Sequence, residues 1–292
     1  MYFRAAINII NYIRQRVVQL VDLILYFMNK INKKELFGDL LFNWIDPIEQ
    51  AYCSRGINKT ESPLAIDLAT KGWGFPFLNF TPKIDLKAEN FLKIHTYYTV
   101  KIIEAKIISE FLKFIFIELK LKEIIQNATG MRYSVDFFTD YITEHVPHDL
   151  QNTALYANQW HRDLAFTKNT LKIFILPKLV TKKDGPLNWL DRRDTNQVLE
   201  SGFDRDIALP TSCQKLNVNQ LTGNAGSLCL IQPKICLHKA GIPEFGNSRE
   251  QIMIQLNPSR HWKIRSDLYE KQFTQEPNMP FFKNIFRHSV NL

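Results

Sequence analysis

Two histidines and one aspartate are the residues of this sequence best suited to chemistry. His161 and Asp163 stand two positions apart in the run Gln159-Trp-His-Arg-Asp163, at the end of a stretch that we expect to be extended. In a strand, residues two apart point to the same face, so this imidazole and carboxylate can meet at one point. His238 follows a later strand-like run. Two imidazoles and one carboxylate on one face of an octahedron leave three adjacent positions open, as in non-haem Fe(II) oxygenases.

An arginine eleven residues after His238 offers a partner for an anion. Arg249 begins the run Arg249-Glu-Gln-Ile-Met-Ile-Gln-Leu, which is typical of a core strand. An arginine that faces inward from a barrel strand presents a fork of donors suited to a carboxylate. Each residue alone has an ordinary alternative: a hydrogen-bonded structural role for a histidine, and a surface ion pair for the arginine.

Four motifs occur in a fixed order along the chain: Gln159–Asp163, the turn Asp184-Gly-Pro-Leu187, the stretch Thr222–Ile231, and the segment from Cys236 to Arg249. In this order they resemble the phytanoyl-CoA dioxygenase-like family of Fe(II)/2-oxoglutarate oxygenases. There, a His-x-Asp strand, an acidic-Gly-Pro-Leu turn, a strand after a Gly-containing turn, the distal histidine and an arginine succeed one another. The match covers roughly residues 153–257.

The resemblance implies a ligand set and a reaction. His161, Asp163 and His238 would bind Fe(II), and Arg249 would pair with the distal carboxylate of the co-substrate 2-oxoglutarate. With O2 as the third reactant, the enzyme would hydroxylate a small organic substrate and release succinate and CO2. Related halogenases replace the aspartate with a small residue, so Asp163 favours hydroxylation or a related oxidation.

Two further positions follow from the same resemblance. Phe174 stands where the family often has an aromatic residue near the co-substrate, although packing alone also explains it. Family members often carry a small hydroxyl residue two positions after the distal histidine, where this chain has Ala240. Without that hydroxyl, Arg249 would supply a larger share of the contacts with the co-substrate.

The elements that must position these residues are mostly strands. Period-two alternation begins at Arg132, a second extended run covers 153–161, and short apolar runs predict further strands at Leu171–Leu176, Ser227–Ile231 and Glu250–Leu256. Short strands with irregular loops predict a mainly β fold with α, a double-stranded β-helix (jelly-roll, cupin-like) core. Helical spacing between Ala88 and Gln126 predicts helices that buttress this core.

We therefore expect an N-terminal amphipathic helical extension over residues 1–60 and a single oxygenase domain over 61–292. Within that domain, 88–130 would give helical support, 131–260 the jelly-roll core and 261–292 a C-terminal tail. The charged segment Asp191–Asp194 and the residues His145 and His148 are expected in solvated loops.

Composition leaves some alternatives open. A chain with 45% hydrophobic residues is not disordered, and its net charge of +8 suits several anionic partners. Nucleic acid is not expected, because basic residues do not form a stripe interleaved with aromatics. The four cysteines are expected to be reduced, which favours a cytoplasmic protein. The stripe within residues 1–30 fits a helix packed on the domain or a basic helix in peripheral contact with a membrane. The alternative function is a non-catalytic jelly-roll that acts through this helix.

Overall fold

The structure is a computed structural model that describes residues 50, 53–54, 56–57, 60–76, 86–163, 167–203, 205–206, 208–265 and 289–291. The amphipathic helix predicted within residues 1–30 and most of the C-terminal tail lie outside these ranges. In the described part of the chain, no helix combines the length and apolar character needed to cross a bilayer.

Nine strands form the larger sheet, whose central order is β1-β8-β5-β10-β4-β11-β12, while β3 also pairs with β4 and β2 with β3. All its pairings are antiparallel except that of β11 with β4. The strands are β1 (Trp73–Gly74), β2 (Ala88–His95), β3 (Tyr98–Ile103), β4 (Arg132–Glu144), β5 (Leu171–Ile175), β8 (Leu228–Ile231), β10 (Ser248–Ser259), β11 (Lys263–Arg265) and β12 (Ser289–Asn291).

A smaller antiparallel sheet contains β6 (Leu187–Trp189), β7 (Asn219–Gln220) and β9 (His238–Ala240). The order of its strands is β7-β6-β9. The helices are α1 (Pro63–Thr70), α2 (Ala105–Lys113), α3 (Leu121–Thr129) and α4 (Arg192–Glu200), and a π-helical turn at Phe114–Glu118 continues α2.

The larger sheet buries both of its faces, and β5 shows the alternation. Leu171, Ile173 and Ile175 lie in the main core, which also contains buried residues of α1, α2 and α3. Phe174 points the other way, into a second cluster that includes Trp189 of the smaller sheet. This alternation is what a strand between two packed layers requires. The fold is thus mainly β, a jelly-roll core with helices against the outer face of its larger sheet.

The helical prediction for 88–126 is wrong over its first part, 88–103, because this part is the β2–β3 hairpin. Its apolar residues also fit helical spacing, but Tyr98, Thr99 and Val100 pair with β4. This long-range pairing buries Val100. The helical prediction holds only for the later part of the segment, where α2 and α3 lie.

Two other local predictions are wrong. Residues 153–159 form turns instead of a strand, because the side chain of Asn158 accepts from the amide of Leu155 and donates to the carbonyl of Thr153. Such local bonds compete with strand pairing. The charged segment that follows Asp191 is helix α4, since Asp191 caps it by accepting from the amide of Asp194. The four cysteines are free and buried, as predicted.

Candidate active site

Backbone pairing brings His161 and His238 together from distant parts of the chain. The amide of His161 donates to the carbonyl of His238 at 3.1 Å, and the amide of His238 donates back at 3.0 Å. The amide of Asp163 donates to the carbonyl of Pro233 at 2.9 Å. The strand β9 and the segment before it therefore fix the backbone of all three predicted ligand residues.

The three side chains converge on one point. Nε2 of His161 lies 3.6 Å from Oδ1 of Asp163, and Nε2 of His238 lies 3.4 Å from the same oxygen. Among the described residues, these form the one group of three or more potential metal ligands whose ligand atoms all lie within 4.8 Å of one another.

Hydrogen bonds on the far side of each ring orient the imidazoles. Nδ1 of His161 lies 2.7 Å from the carbonyl of Gln159, and Nδ1 of His238 lies 3.0 Å from the carbonyl of Cys236. A carbonyl can only accept, so each Nδ1 carries the proton when the ring is neutral. In that tautomer each Nε2 keeps a lone pair free on the side where the three side chains converge, and a metal ion bound there could accept it.

Electrostatics favour the metal-binding protonation states of His161 and Asp163. Burial and the neighbouring His238 lower the pKa of His161 to about 4, so its ring is neutral at pH 7. Burial alone would raise the pKa of Asp163, but Lys172 and His238 together hold that pKa well below its usual value. Two imidazole lone pairs and one carboxylate oxygen at one point match the facial triad of non-haem Fe(II) sites.

Lys172 lies next to this cluster and was not predicted from the sequence. Its Nζ forms an ion pair with Oδ2 of Asp163, while the two histidines contact the other carboxylate oxygen, Oδ1. The Lys172 side chain is 12% exposed. The signal in the sequence was a lysine two residues before Phe174, on the inward side of an apolar strand.

Arg249 is buried on β10, and not all of its N–H donors are hydrogen-bonded. It is 1% exposed, and its Nη1 donates to the carbonyl of Gly185. Its Nε and Nη2 make no well-formed hydrogen bond within the described ranges, although the Tyr141 hydroxyl lies close enough to interact with the guanidinium. A buried guanidinium whose donors are not all hydrogen-bonded is costly unless an anion completes it.

Other polar groups on the inner sheet face lie near Arg249. Gln251, two residues further along β10, is fully buried, and both polar atoms of its side chain lack a partner in the described structure. Tyr98 stacks against Tyr141 and Tyr156, with ring centroids 5.3 and 6.0 Å apart. Burial raises the pKa of Tyr156 to about 12, so its hydroxyl stays protonated. These groups form a polar patch on the inner face of the sheet, beside Arg249.

The Asp184-Gly-Pro-Leu187 motif has a structural reason. Gly185 has φ +64°, and a Cβ there would lie 2.4 Å from the nitrogen of Pro243. A Cβ on Gly241 would lie 2.4 Å from the carbonyl oxygen of Pro186. The two backbones touch, and this contact sets the Gly185 carbonyl where Arg249 donates to it.

The structure also places the remaining predicted residues. Phe174 is buried in the inner cluster with Leu187 and Trp189, and its predicted place near the co-substrate stays a prediction. Ala240 is buried on β9, two residues after His238. His145 bonds to the carbonyl of Pro243 at 2.8 Å, which is a structural contact.

Gln251 and Tyr98 were also missed from the sequence. Gln251 lies two residues after Arg249 and therefore on the same inward face of the strand. This spacing was a usable signal in the sequence. Tyr98 offered none, because its segment was predicted to be helical.

Comparisons with known proteins give structural similarities only. No protein-family model matches the sequence, and no curated protein matches it. Among solved structures, 61 chains match. One is the non-haem α-ketoglutarate-dependent epimerase SnoN from nogalamycin biosynthesis, with TM-score 0.47 and 9% identity over 66% of this chain and 81% of that one.

Two further matches are metal-bound proteins. EctD from S. alaskensis with bound Fe has TM-score 0.45 and 11% identity, over 69% of this chain and 80% of that one. HygX from Streptomyces hygroscopicus, with nickel and 2-oxoglutarate bound, has TM-score 0.42 and 7% identity, over 70% of this chain and 89% of that one.

Proposed function

We propose that this protein is an Fe(II)- and 2-oxoglutarate-dependent oxygenase that hydroxylates a small organic substrate. The convergence of His161, Asp163 and His238 on one point carries the proposal. Fe(II), when bound there, would supply activation of O2 coupled to decarboxylation of 2-oxoglutarate to succinate and CO2. The three open positions of a facial triad suit a chelating co-substrate and O2 together.

The residues of the chain have separate roles in this proposal. His161 and His238 supply neutral nitrogen ligands, each held in one tautomer by a backbone carbonyl. Asp163 supplies the charged ligand. Arg249 pairs with the distal carboxylate of 2-oxoglutarate through Nε and Nη2, the donors that lack a well-formed hydrogen bond in the described structure.

Two more residues complete the proposed co-substrate pocket. The buried amide of Gln251 is available for a hydrogen bond to the same carboxylate, in place of the hydroxyl that Ala240 lacks. Phe174 closes the inner face of β5 near the co-substrate and helps to exclude water. A water-poor pocket strengthens the Arg249 ion pair, since charges attract more strongly at low dielectric.

We further propose membership of the phytanoyl-CoA dioxygenase-like family, on the order and spacing of the four sequence motifs. The hydrogen bond from Arg249 to the carbonyl of Gly185 supports this, because it joins two of those motifs in one structural contact. A cytoplasmic location and peripheral membrane contact through residues 1–30 remain proposals from the sequence.

The test is succinate formation from 2-oxoglutarate with Fe(II), O2 and ascorbate, first without and then with a library of candidate substrates. We expect slow turnover without substrate and faster turnover with the true one. Asp163→Ala should abolish succinate formation, while Asp149→Ala, a change in the loop after β4, should not. Equal turnover by wild type and Asp163→Ala would contradict the ligand assignment, and no turnover under any condition would contradict the proposed function.

A further inference from the structure

We propose that Lys172 is a positioning residue that makes Asp163 bind metal through a single oxygen. The inference rests on the proposed function, since it assumes that a metal ion is held by His161, Asp163 and His238. It assigns a separate task to each oxygen of the carboxylate. Oδ1 faces the two histidines, and Oδ2 is held by the ammonium of Lys172.

The geometry of the backbone makes this division effective. The amide of Asp163 donates to the carbonyl of Pro233, and this hydrogen bond fixes the position of the Asp163 backbone. What remains free is rotation about the two single bonds of the side chain, Cα–Cβ and Cβ–Cγ. An ion pair on Oδ2 restricts both rotations, because either would break a contact with a mostly buried charge.

Lys172 is itself held in place by the sheet. It lies on β5 between two neighbours, opposite Gln255 of β10 and Ile231 of β8. Its side chain is only 12% exposed. A lysine in the middle of a sheet cannot move its backbone to follow the carboxylate, so the sheet determines where Oδ2 points.

The chemical consequence concerns the number of open coordination positions. Two imidazoles and a one-oxygen carboxylate leave three positions of an octahedron open, whereas a two-oxygen carboxylate leaves two. A chelating 2-oxo acid occupies two positions, so only the one-oxygen mode leaves a place for O2. Lys172 therefore protects the third position without contacting the reactants.

Inner-sphere water on bound Mn(II) tests this directly, because proton relaxivity reports how many waters the ion carries. The full chain is loaded with Mn(II) as wild type and as Lys172→Met, a variant that keeps the length of the side chain but removes the ammonium. We expect relaxivity per bound ion to fall by about one third, as three waters become two. Lys172→Arg, which restores a donor for Oδ2, should recover the wild-type value.

Lys178→Met is the matched control, since Lys178 pairs with Glu250 and not with Asp163. It should leave relaxivity unchanged. Thermal unfolding of each variant confirms folding, and Lys172→Leu replaces Lys172→Met if the latter does not fold. A wild-type relaxivity in the folded, Mn(II)-loaded apolar variant would overturn the role of Lys172 alone. Failure of the wild type to bind Mn(II) would instead overturn the proposed function.

Discussion

At the scale of single residues, Arg249 combines full burial with donors that lack a well-formed hydrogen bond in the described structure. The free protein gains little from such a group, because desolvation of a guanidinium is costly. A ligand whose carboxylate pairs with this guanidinium should gain correspondingly more binding free energy. If Arg249 pairs with 2-oxoglutarate as proposed, we expect it to contribute more to ligand binding than to folding, and the two effects can be measured separately.

Arg249→Met should weaken binding of 2-oxoglutarate to the Mn(II)-loaded protein by about 30-fold or more, since truncating one partner of a buried charge pair costs about 2–5 kcal/mol. Isothermal titration calorimetry measures the loss. Binding of 2-oxobutyrate, which lacks the distal carboxylate, should be equal in both proteins. An equal loss for both ligands would show that Arg249 is structural.

A second residue-scale prediction concerns Asp140 on the helix-facing side of β4. Burial raises the pKa of Asp140 to about 7, although Lys101 at 3.0 Å opposes the shift. The folded state then binds more protons than the unfolded state between about pH 4 and 7, so this group costs stability as the pH rises. The melting temperature of Asp140→Asn, relative to wild type, should increase from pH 5 to pH 8. A constant difference would contradict the raised pKa.

Spacing predicts some site residues and not others. His161, Asp163 and Arg249 stand in recognisable runs, because chain order and strand period carry their geometry. Lys172 and Gln251 were not assigned, although each stands at an inward position of an apolar strand, because the role of such a residue depends on what lies across the sheet. That information resides in the pairing of β5 with β8 and β10.

At the scale of elements, the close contact between two turns positions Arg249. Gly185 needs both a positive φ and space, because its missing Cβ faces the backbone of Pro243. Gly202 has φ +84°, but a Cβ added there would have no atom within 4 Å among the described residues. Alanine at Gly202 would therefore introduce backbone strain alone, whereas alanine at Gly185 would introduce strain together with steric overlap.

Gly185→Ala should destabilise the protein by about 1–3 kcal/mol more than Gly202→Ala, which is the usual cost of overpacking. It should also weaken 2-oxoglutarate binding, since the carbonyl that accepts from Arg249 must move. Urea unfolding and calorimetry give the two quantities. Equal stability losses in the two variants would argue against the turn contact.

Element types are harder to predict than element positions. The predicted core strands lie within a few residues of the observed ones, because their apolar runs are short and bounded by turn formers. Helical spacing mispredicts the β2–β3 hairpin, since its residues fit both periods and only pairing with β4 distinguishes them. The many charged residues of helix α4 led to the prediction of a loop. The segment is helical although it has few apolar residues, because Asp191 caps its first turn.

At the scale of the whole molecule, metal binding should stabilise the fold. The residues proposed to bind the metal come from the segment after 153–159 and from β9, which the folded chain brings together. Mn(II) at 100 times its dissociation constant should add about 2.7 kcal/mol. That corresponds to a rise in melting temperature on the order of 5 °C.

Asp163→Asn should lose this shift, whereas Asp140→Asn, the same change at a carboxylate outside the cluster, should keep it. Differential scanning fluorimetry with and without Mn(II) measures both. A shift that survives in Asp163→Asn would place the metal elsewhere.

We propose that one site of this protein holds Fe(II) and 2-oxoglutarate together. The most direct test is anaerobic titration of 2-oxoglutarate into the Fe(II)-loaded protein, followed by visible absorption. Chelation of Fe(II) by a 2-oxo acid produces a metal-to-ligand charge-transfer band. We predict that this band appears with saturation at one equivalent and is absent in Asp163→Ala. A wild-type protein that binds Fe(II) and shows no band at saturating 2-oxoglutarate would contradict the claim.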